Sequence, residues 1–384
     1  MPLSPRWEVE NLYPCPHGGP DYAELKKFGL AAEDVIDFSV STNPFGPPPG
    51  VMEALTSLPI ALYPDSEATE LRECLAQELS IAPENILVGS GSVELIRLVA
   101  LAYFGPQDLV LMVEPTFGEY EVACRLVGSV VLKQRLRAQG GFRLQATESV
   151  DLIRRHRPKG VFLCNPNNPT GQYLAREEIE QILAACEDSL LILDEAYIAF
   201  VDNAWSSLDL IQRGNVLILR SLAKSHALAG LRLGYAIAQQ QLISNLRKVC
   251  PPWNVNVAAQ RAGILALADK KYVRKCQVGI QHLKDFLIKE LTELGLQPLP
   301  SQANFFLLQV GEAERFRRAL LERGILVRDC TSFGLPQYIR IAPRPLPDCR
   351  KLIAAIEEIT PLARKIKKDG SNVSRGDSGD QALR

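Results

Sequence analysis

The sequence carries no surplus of either charge. Its 43 Lys and Arg stand against 44 Asp and Glu, a formal net charge of -1. A chain without a basic excess is a poor candidate for a nucleic-acid or membrane-surface partner. The nine cysteines are scattered, odd in number and form no CxxC pair, so neither a disulfide framework nor a zinc cluster is indicated. The four histidines show no ligand spacing, and no metal is expected. No apolar run approaches the ~20 residues a membrane helix needs. The opening "MPLSPRWEVENLYPCPHGG" lacks a basic start followed by an apolar core, so no signal peptide is expected. The cytoplasm is the expected location. No internal repeat is visible.

What is present is an ordinary globular composition, 47% hydrophobic and 23% charged over 384 residues. The first forty residues are mixed and rich in Pro and Gly, and "NPFGPPPG" (43–50) reads as a rigid connector. "SEATELRECLAQELS" predicts a helix with Ser66 as its cap and Leu71, Leu75 and Leu79 on one face. From residue 86 short apolar runs alternate with polar turns and longer amphipathic segments. They are "NILVG", "DLVLMVEP", "SVVLKQRL", "GVFLCNP", "SLLILDEAY", "NVLILRS" and "LGYAIAQ". Near-continuous apolar strands between helices predict a mostly parallel sheet covered on both faces. A helical stretch around 256–295 follows, then "ANFFLLQV", "GILVRDC" and "QYIRIAP" as strands flanking "AERFRRALLERG". The expectation is an α/β fold: an arm over 1–50 joining the small domain, a large domain over 51–280, and a small α+β domain over 281–365. The tail 366–384 is polar and Gly/Ser-rich, and is expected to be disordered.

In open α/β sheets ligands bind outside the carboxyl ends of the strands. After "NILV" comes "GSGS", a small-residue turn opening a helix, where backbone amides, the helix dipole and the Ser90 and Ser92 hydroxyls suit an anion. Either serine could equally be a plain N-cap. After "GVFLC" comes "NPNNPTG" (165–171), a multiple turn denser in constrained residues than a plain loop requires. After "SLLIL" comes "DEAY", whose Asp194 needs a cation or hydrogen-bond donors where the strand leaves the sheet. After "NVLIL" comes "RSLAK", with Lys224 among small and hydroxylic neighbours. A phosphate cradle, a carboxylate for a pyridine nitrogen, donors for a phenolate oxygen and a lysine for a Schiff base are together the needs of pyridoxal phosphate chemistry.

With these motifs the sequence resembles the fold-type-I pyridoxal-phosphate enzymes of the class I/II aminotransferase superfamily, from about residue 12 to 362. The resemblance implies that Lys224 of "SLAKSHALAGLRLGY" is the Schiff-base lysine. It implies that Ser221 and Arg232 hold the cofactor phosphate with Gly91 and Ser92. Asp194 would pair with the pyridinium nitrogen, Tyr197 and Asn168 with the ring's O3′, and Phe117 of "PTFGEY" would stack on the ring. Tyr63 of "LYPD" is similar to the tyrosine that reaches the neighbouring subunit's phosphate, implying a homodimer. Arg340 of "IRIAPR" matches the arginine that grips the substrate's acidic group.

Two relatives share "LAGLRLGY", "NPNNPTG" and "YPD": histidinol-phosphate aminotransferases and threonine-phosphate decarboxylases of cobalamin synthesis. "HGG" (17–19), "DFSVSTNPFGPP" (37–48) and "LVRDC" (326–330) look more like the decarboxylase, in which His17, Gly18, Arg328 and Arg340 would contact a phosphorylated amino acid. Ser41 stands where the decarboxylase pattern, "SANINP", has asparagine, which admits phosphoserine as well as phosphothreonine. The expectation is therefore a lyase that decarboxylates an O-phosphorylated amino acid, with histidinol-phosphate transamination as the alternative. A regulator would need a DNA-binding module and a cofactor-less relative would lack the lysine or the aspartate; neither pattern is seen.

Overall fold

The computed structural model describes residues 3–360, so the predicted tail lies outside the described residues. The strands run β1 (Ile36–Asp37), β2 (Ile86–Gly89), β3 (Leu109–Glu114), β4 (Val130–Arg135), β5 (Gly160–Cys164) and β6 (Leu190–Asp194). They continue as β7 (Val216–Ser221), β8 (Gly234–Ala238), β9 (Phe306–Gln309), β10 (Ile325–Leu326), β11 (Arg328–Asp329) and β12 (Tyr338–Ile341). Seven of them form one sheet in the order β2-β8-β7-β6-β5-β3-β4. Only β8 runs against its neighbours. The α/β fold expected from the apolar runs is present.

Alternation within each run explains how the sheet is covered. Leu191 and Leu193 of β6 join one buried cluster with Leu71, Leu75, Ile179 and Ala262, from helices Thr69–Leu79, Arg176–Ala185 and Val257–Ala268. Ile192, between them, joins another with Leu95, Tyr120 and Ile243, from helices Ser92–Tyr103, Glu119–Leu126 and Gln240–Val249. Each such leucine or isoleucine contributes about 1.5–3 kcal/mol by leaving water. From β3 the chain steps outward to β4, then back across to β5. The order therefore reverses between β3 and β5, and in such sheets that is where the ligand crevice opens.

The helical stretch 256–295 divides at Asp269, whose side chain accepts from the Tyr272 amide and starts the helix Lys270–Glu293. Ile280 of this helix packs with Tyr197 and Phe305 beside the crevice. Leu283, Leu287 and Leu291, one helical face further along, pack with Phe306, Ile339 and Ile356 in a separate core. That core includes the fully buried Phe38, and β1 pairs in parallel with β10, so residues 36–38 are part of it. "GILVRDC" divides between two partners: β10 pairs with β1, and β11 with β12.

One local expectation fails. Ser66 does not cap its helix; Asp65 does that work, accepting from the Glu67 amide at 2.9 Å and the Thr69 amide at 2.7 Å. A carboxylate one residue earlier offers two acceptor oxygens where serine offers one hydroxyl. Among the described residues, no helix is long and apolar enough to cross a membrane.

Candidate active site

At the carboxyl ends of β3, β5, β6 and β7 lies a cavity of about 470 Å³. It is lined by every sequence-predicted site residue except Ser90 and Tyr63: His17, Gly18, Ser41, Gly91, Ser92, Phe117, Asn168, Asp194, Tyr197, Ser221, Lys224, Arg232, Arg328 and Arg340. Tyr63 is 78% exposed and stacks on Trp253, with ring centroids 4.3 Å apart.

Lys224 sits in the short helix Leu222–Ser225 that follows β7 directly. Ser221 caps that helix, its side chain accepting from the Ala223 amide. The arm holds the helix from the other side. The Asn43 amide donates to Lys224 O at 2.9 Å, and Asn43 Nδ2 donates to Ser225 O at 3.1 Å. The Lys224 ammonium lies 5.8 Å from the Tyr197 ring centroid, and that ring packs edge-on against Phe305.

Asp194, the last residue of β6, is 3% exposed. Among the described residues its carboxylate is neither a helix cap nor half of an ion pair. Oδ1 accepts from the Ala196 amide at 2.9 Å and Oδ2 from the Tyr120 hydroxyl at 2.7 Å. Burial pushes its carboxyl upward from the ordinary range, while the Tyr120 and Ala196 donors and the Lys224 charge pull the other way. Glu195, the next residue, forms a buried pair with Arg220 at 2.8 Å and braces the end of β6 against β7.

The "GSGS" turn works differently from its sequence reading. The Ser90 amide is spent on Glu94 Oε2 at 2.6 Å, and the Gly91 amide on Gly89 O at 2.8 Å. Gly91 supplies space instead. At φ +79° and ψ 167° it occupies a region that is essentially glycine-only, and a Cβ there would lie 2.8 Å from Arg232 Nη2. The absent side chain lets the guanidinium come down on the opening turn of helix Ser92–Tyr103. No side chain caps that turn, and its first amides have no intrahelical partner. Arg232 itself takes a left-handed conformation, φ +59°, to reach this position.

"NPNNPTG" divides its labour. Asn165 Oδ1 accepts from the Leu174 amide at 2.7 Å, while Asn167 Nδ2 binds Pro115 O and Thr170 Oγ1. These two asparagines hold the turn to β3 and to its own exit. Asn168 instead meets the cavity, where its Oδ1 accepts from Arg340 Nη1. Arg340 also donates to Ser39 O at 2.9 Å and lies over the Phe305 ring at 4.8 Å. Among the described residues, its Nε and the buried Ser41 Oγ have no hydrogen-bond partner.

His17, Gly18 and Arg328 form one knot. Arg328 donates to Pro16 O at 2.7 Å, His17 O at 3.2 Å and Ser332 Oγ at 2.7 Å. Burial, then the neighbouring Arg340 charge, lower its affinity for a proton. A Cβ on Gly18 would lie 2.6 Å from Ser39 O, so glycine is needed for the arm to lie flat there. His17 Nε2 meets Glu119 Oε1 at 3.0 Å. Cys15 joins them, and the three ligand-type atoms lie within 4.8 Å of one another, a grouping no sequence window could display. The motif taken as a phosphate grip thus spends much of its polarity on fastening the arm.

Sequence reading missed Tyr120 and Asn43. Tyr120 stands three residues after Phe117 in "PTFGEY", in the first turn of helix Glu119–Leu126, and the two rings meet edge-on. The Asn43 contact is non-local and left no signal.

Residues 33–356 match the family described as aminotransferase class I and II. A histidinol-phosphate aminotransferase of Moorella thermoacetica is 36% identical over 338 residues, covering 86% of each chain. One from Symbiobacterium thermophilum is 34% identical over 92% of this chain and 98% of that one. The histidinol-phosphate aminotransferase of Sinorhizobium meliloti, solved in complex with pyridoxal-5′-phosphate, shares the fold. Its TM-score is 0.83 at 24% identity, over 94% of this chain and 98% of that one. The L-threonine-O-3-phosphate decarboxylase of Porphyromonas gingivalis superposes with a TM-score of 0.73 at 28% identity, over 84% and 98%.

Such a cofactor fits this cavity on the cavity's own terms. An uncapped helix start beside Arg232 suits a phosphate, and a buried, doubly hydrogen-bonded carboxylate suits a cationic ring nitrogen. The chain belongs to the class I and II aminotransferase family, and pyridoxal 5′-phosphate is its cofactor.

Proposed function

We propose that the protein is a histidinol-phosphate aminotransferase, using 2-oxoglutarate as amino acceptor. The expectation of a phosphothreonine or phosphoserine decarboxylase in cobalamin synthesis is overturned. Relatives matching most of this chain at 32–36% identity are histidinol-phosphate aminotransferases, and a threonine-phosphate decarboxylase is a structural neighbour at 28% identity. The physical source of the error is the reading of "HGG" and "LVRDC" as a second anion grip. Arg328 is engaged by the Pro16 and His17 carbonyls, and Gly18 by close packing on Ser39. Arg340 likewise donates to Asn168 Oδ1 and Ser39 O, but its Nε has no hydrogen-bond partner among the described residues, and in this reading it takes the substrate's acidic group.

The observation that carries the proposal is this cavity, whose lining brings Arg340 together with Lys224 and Asp194 at the strand ends, in a chain of that ancestry. In this reading Ser92, Ser221 and Arg232 hold the cofactor phosphate, with Gly91 giving the room. Phe117 covers the ring, Asp194 faces its nitrogen, and Tyr197 with the Asn168 amide group takes the ring oxygen. The bound cofactor supplies an electron sink for charge developing on the substrate's reacting carbon. Lys224 Nζ moves the proton on and off that carbon as general base and acid. Arg340, whose planar fork suits phosphate and carboxylate alike, binds histidinol phosphate in one half-reaction and 2-oxoglutarate in the other. Ser41 Oγ, buried without a hydrogen-bond partner among the described residues, is available to the same substrate end.

A homodimer belongs to this proposal. Ile60, Leu62, Tyr63 and Trp253 form an exposed apolar group away from the chain's own cavity. In the dimer Tyr63 would serve the neighbouring subunit's site.

The test offers the purified enzyme histidinol phosphate, phosphothreonine and phosphoserine, each with 2-oxoglutarate, and follows glutamate and CO2 separately. Glutamate from histidinol phosphate, without CO2 from either phosphoamino acid, is the expected result. No glutamate from histidinol phosphate would remove the proposal.

A further inference from the structure

We infer that Tyr120 is a positioning residue: its phenol donates one of the two hydrogen bonds that keep Asp194 a carboxylate anion, oriented for the cofactor's ring nitrogen. This rests on the role proposed above for Asp194. The geometry comes first. The Tyr120 hydroxyl lies 2.7 Å from Asp194 Oδ2, and the side chain is 1% exposed. Its ring stacks on Phe162 at 4.8 Å and meets Phe117 edge-on at 5.6 Å, so the hydroxyl cannot swing away without unpacking both contacts. Burial and the adjacent carboxylate push the phenol well above its ordinary range, so it stays protonated. An ionised carboxylate only accepts, so the proton between the two oxygens is the tyrosine's.

The groups facing Asp194 come from four elements. Tyr120 reaches it from helix Glu119–Leu126, and Lys224 acts from the helix after β7. Glu195, on the same chain segment, disfavours the anion. Cys164 pairs in register with Asp194 across β5 and β6, and burial keeps its thiol neutral. Against desolvation and Glu195, the donors are the Ala196 amide and the Tyr120 hydroxyl. The amide belongs to the backbone and cannot be tuned. The hydroxyl is a side-chain choice, and phenylalanine would keep both ring contacts without it.

The sign follows directly. A hydrogen bond to the charged form lowers a carboxyl's pKa, so its removal raises it. Tyr120→Phe is expected to move the Asp194 midpoint upward by about one unit or more, roughly a tenfold loss of the anion at a given pH below the midpoint. The measurement is a carbon-13 NMR titration of apoenzyme labelled at the aspartate carboxyl, the resonance being identified by its loss in Asp194→Asn. Thermal melting checks that the variant is folded. An unchanged midpoint in a folded Tyr120→Phe protein overturns the inference. The acid limb of kcat in the cofactor-loaded enzyme is a separate readout. It should move upward with the apoenzyme midpoint while KM changes little. A midpoint that moves without the acid limb would uphold the Tyr120–Asp194 coupling and instead overturn the role given to Asp194.

Discussion

Lys224→Ala is expected to lower amino transfer by about 10,000-fold or more, the upper range for removing a positioned proton carrier. The fold should survive. Alanine is the best helix former, and the helix Leu222–Ser225 is held through backbone atoms, by Ser221 at its start and Asn43 on Lys224 O. The cofactor should still bind, because its phosphate and ring contacts come from other residues. A small added amine should restore part of the activity by replacing the missing base. Turnover within tenfold of the parent enzyme would show that the proton is carried by another group.

Asp194→Asn is expected to cut kcat by about 100- to 1,000-fold, the range for removing one preorganised electrostatic partner. An amide keeps an acceptor for the Ala196 N–H but carries no charge, and a neighbouring anion is what favours a protonated ring nitrogen. An interaction that matters most in the transition state shows itself in kcat more than in binding. Retention of cofactor with severely reduced turnover is therefore the expected pattern, read from reconstituted apoenzyme. Near-normal turnover would mean that Asp194 does not face the ring.

Much of this site was legible because the sheet writes it locally. Asp194, Ser221 and Lys224 stand at or just after the ends of apolar runs, and period and position alone bring such residues to one edge. The helix-opening turn at Gly91 was equally visible, although what Gly91 itself gives is room for Arg232, its own amide being spent on Gly89 O. What sequence could not supply was the state of each polar group after folding. Arg328 reads as a free cation in "LVRDC", yet two of its three hydrogen bonds go to residues 311 and 312 positions away, and the third to Ser332. Asn43 on the Lys224 carbonyl and Tyr120 on Asp194 are pairings of the same distant kind. The choice between two reactions rested on those anion groups, and there the reading of the residues failed.

The account stands on one chemical claim, that the cofactor is joined to Lys224 in this cavity. Reducing the purified protein with borohydride, digesting it and sequencing the peptides by mass spectrometry tests it directly. The predicted result is a pyridoxyl group on the peptide "SLAKSHALAGLR", at Lys224, with loss of colour and activity in step. A label on another lysine, or a colourless protein that takes up no added pyridoxal phosphate, would contradict it.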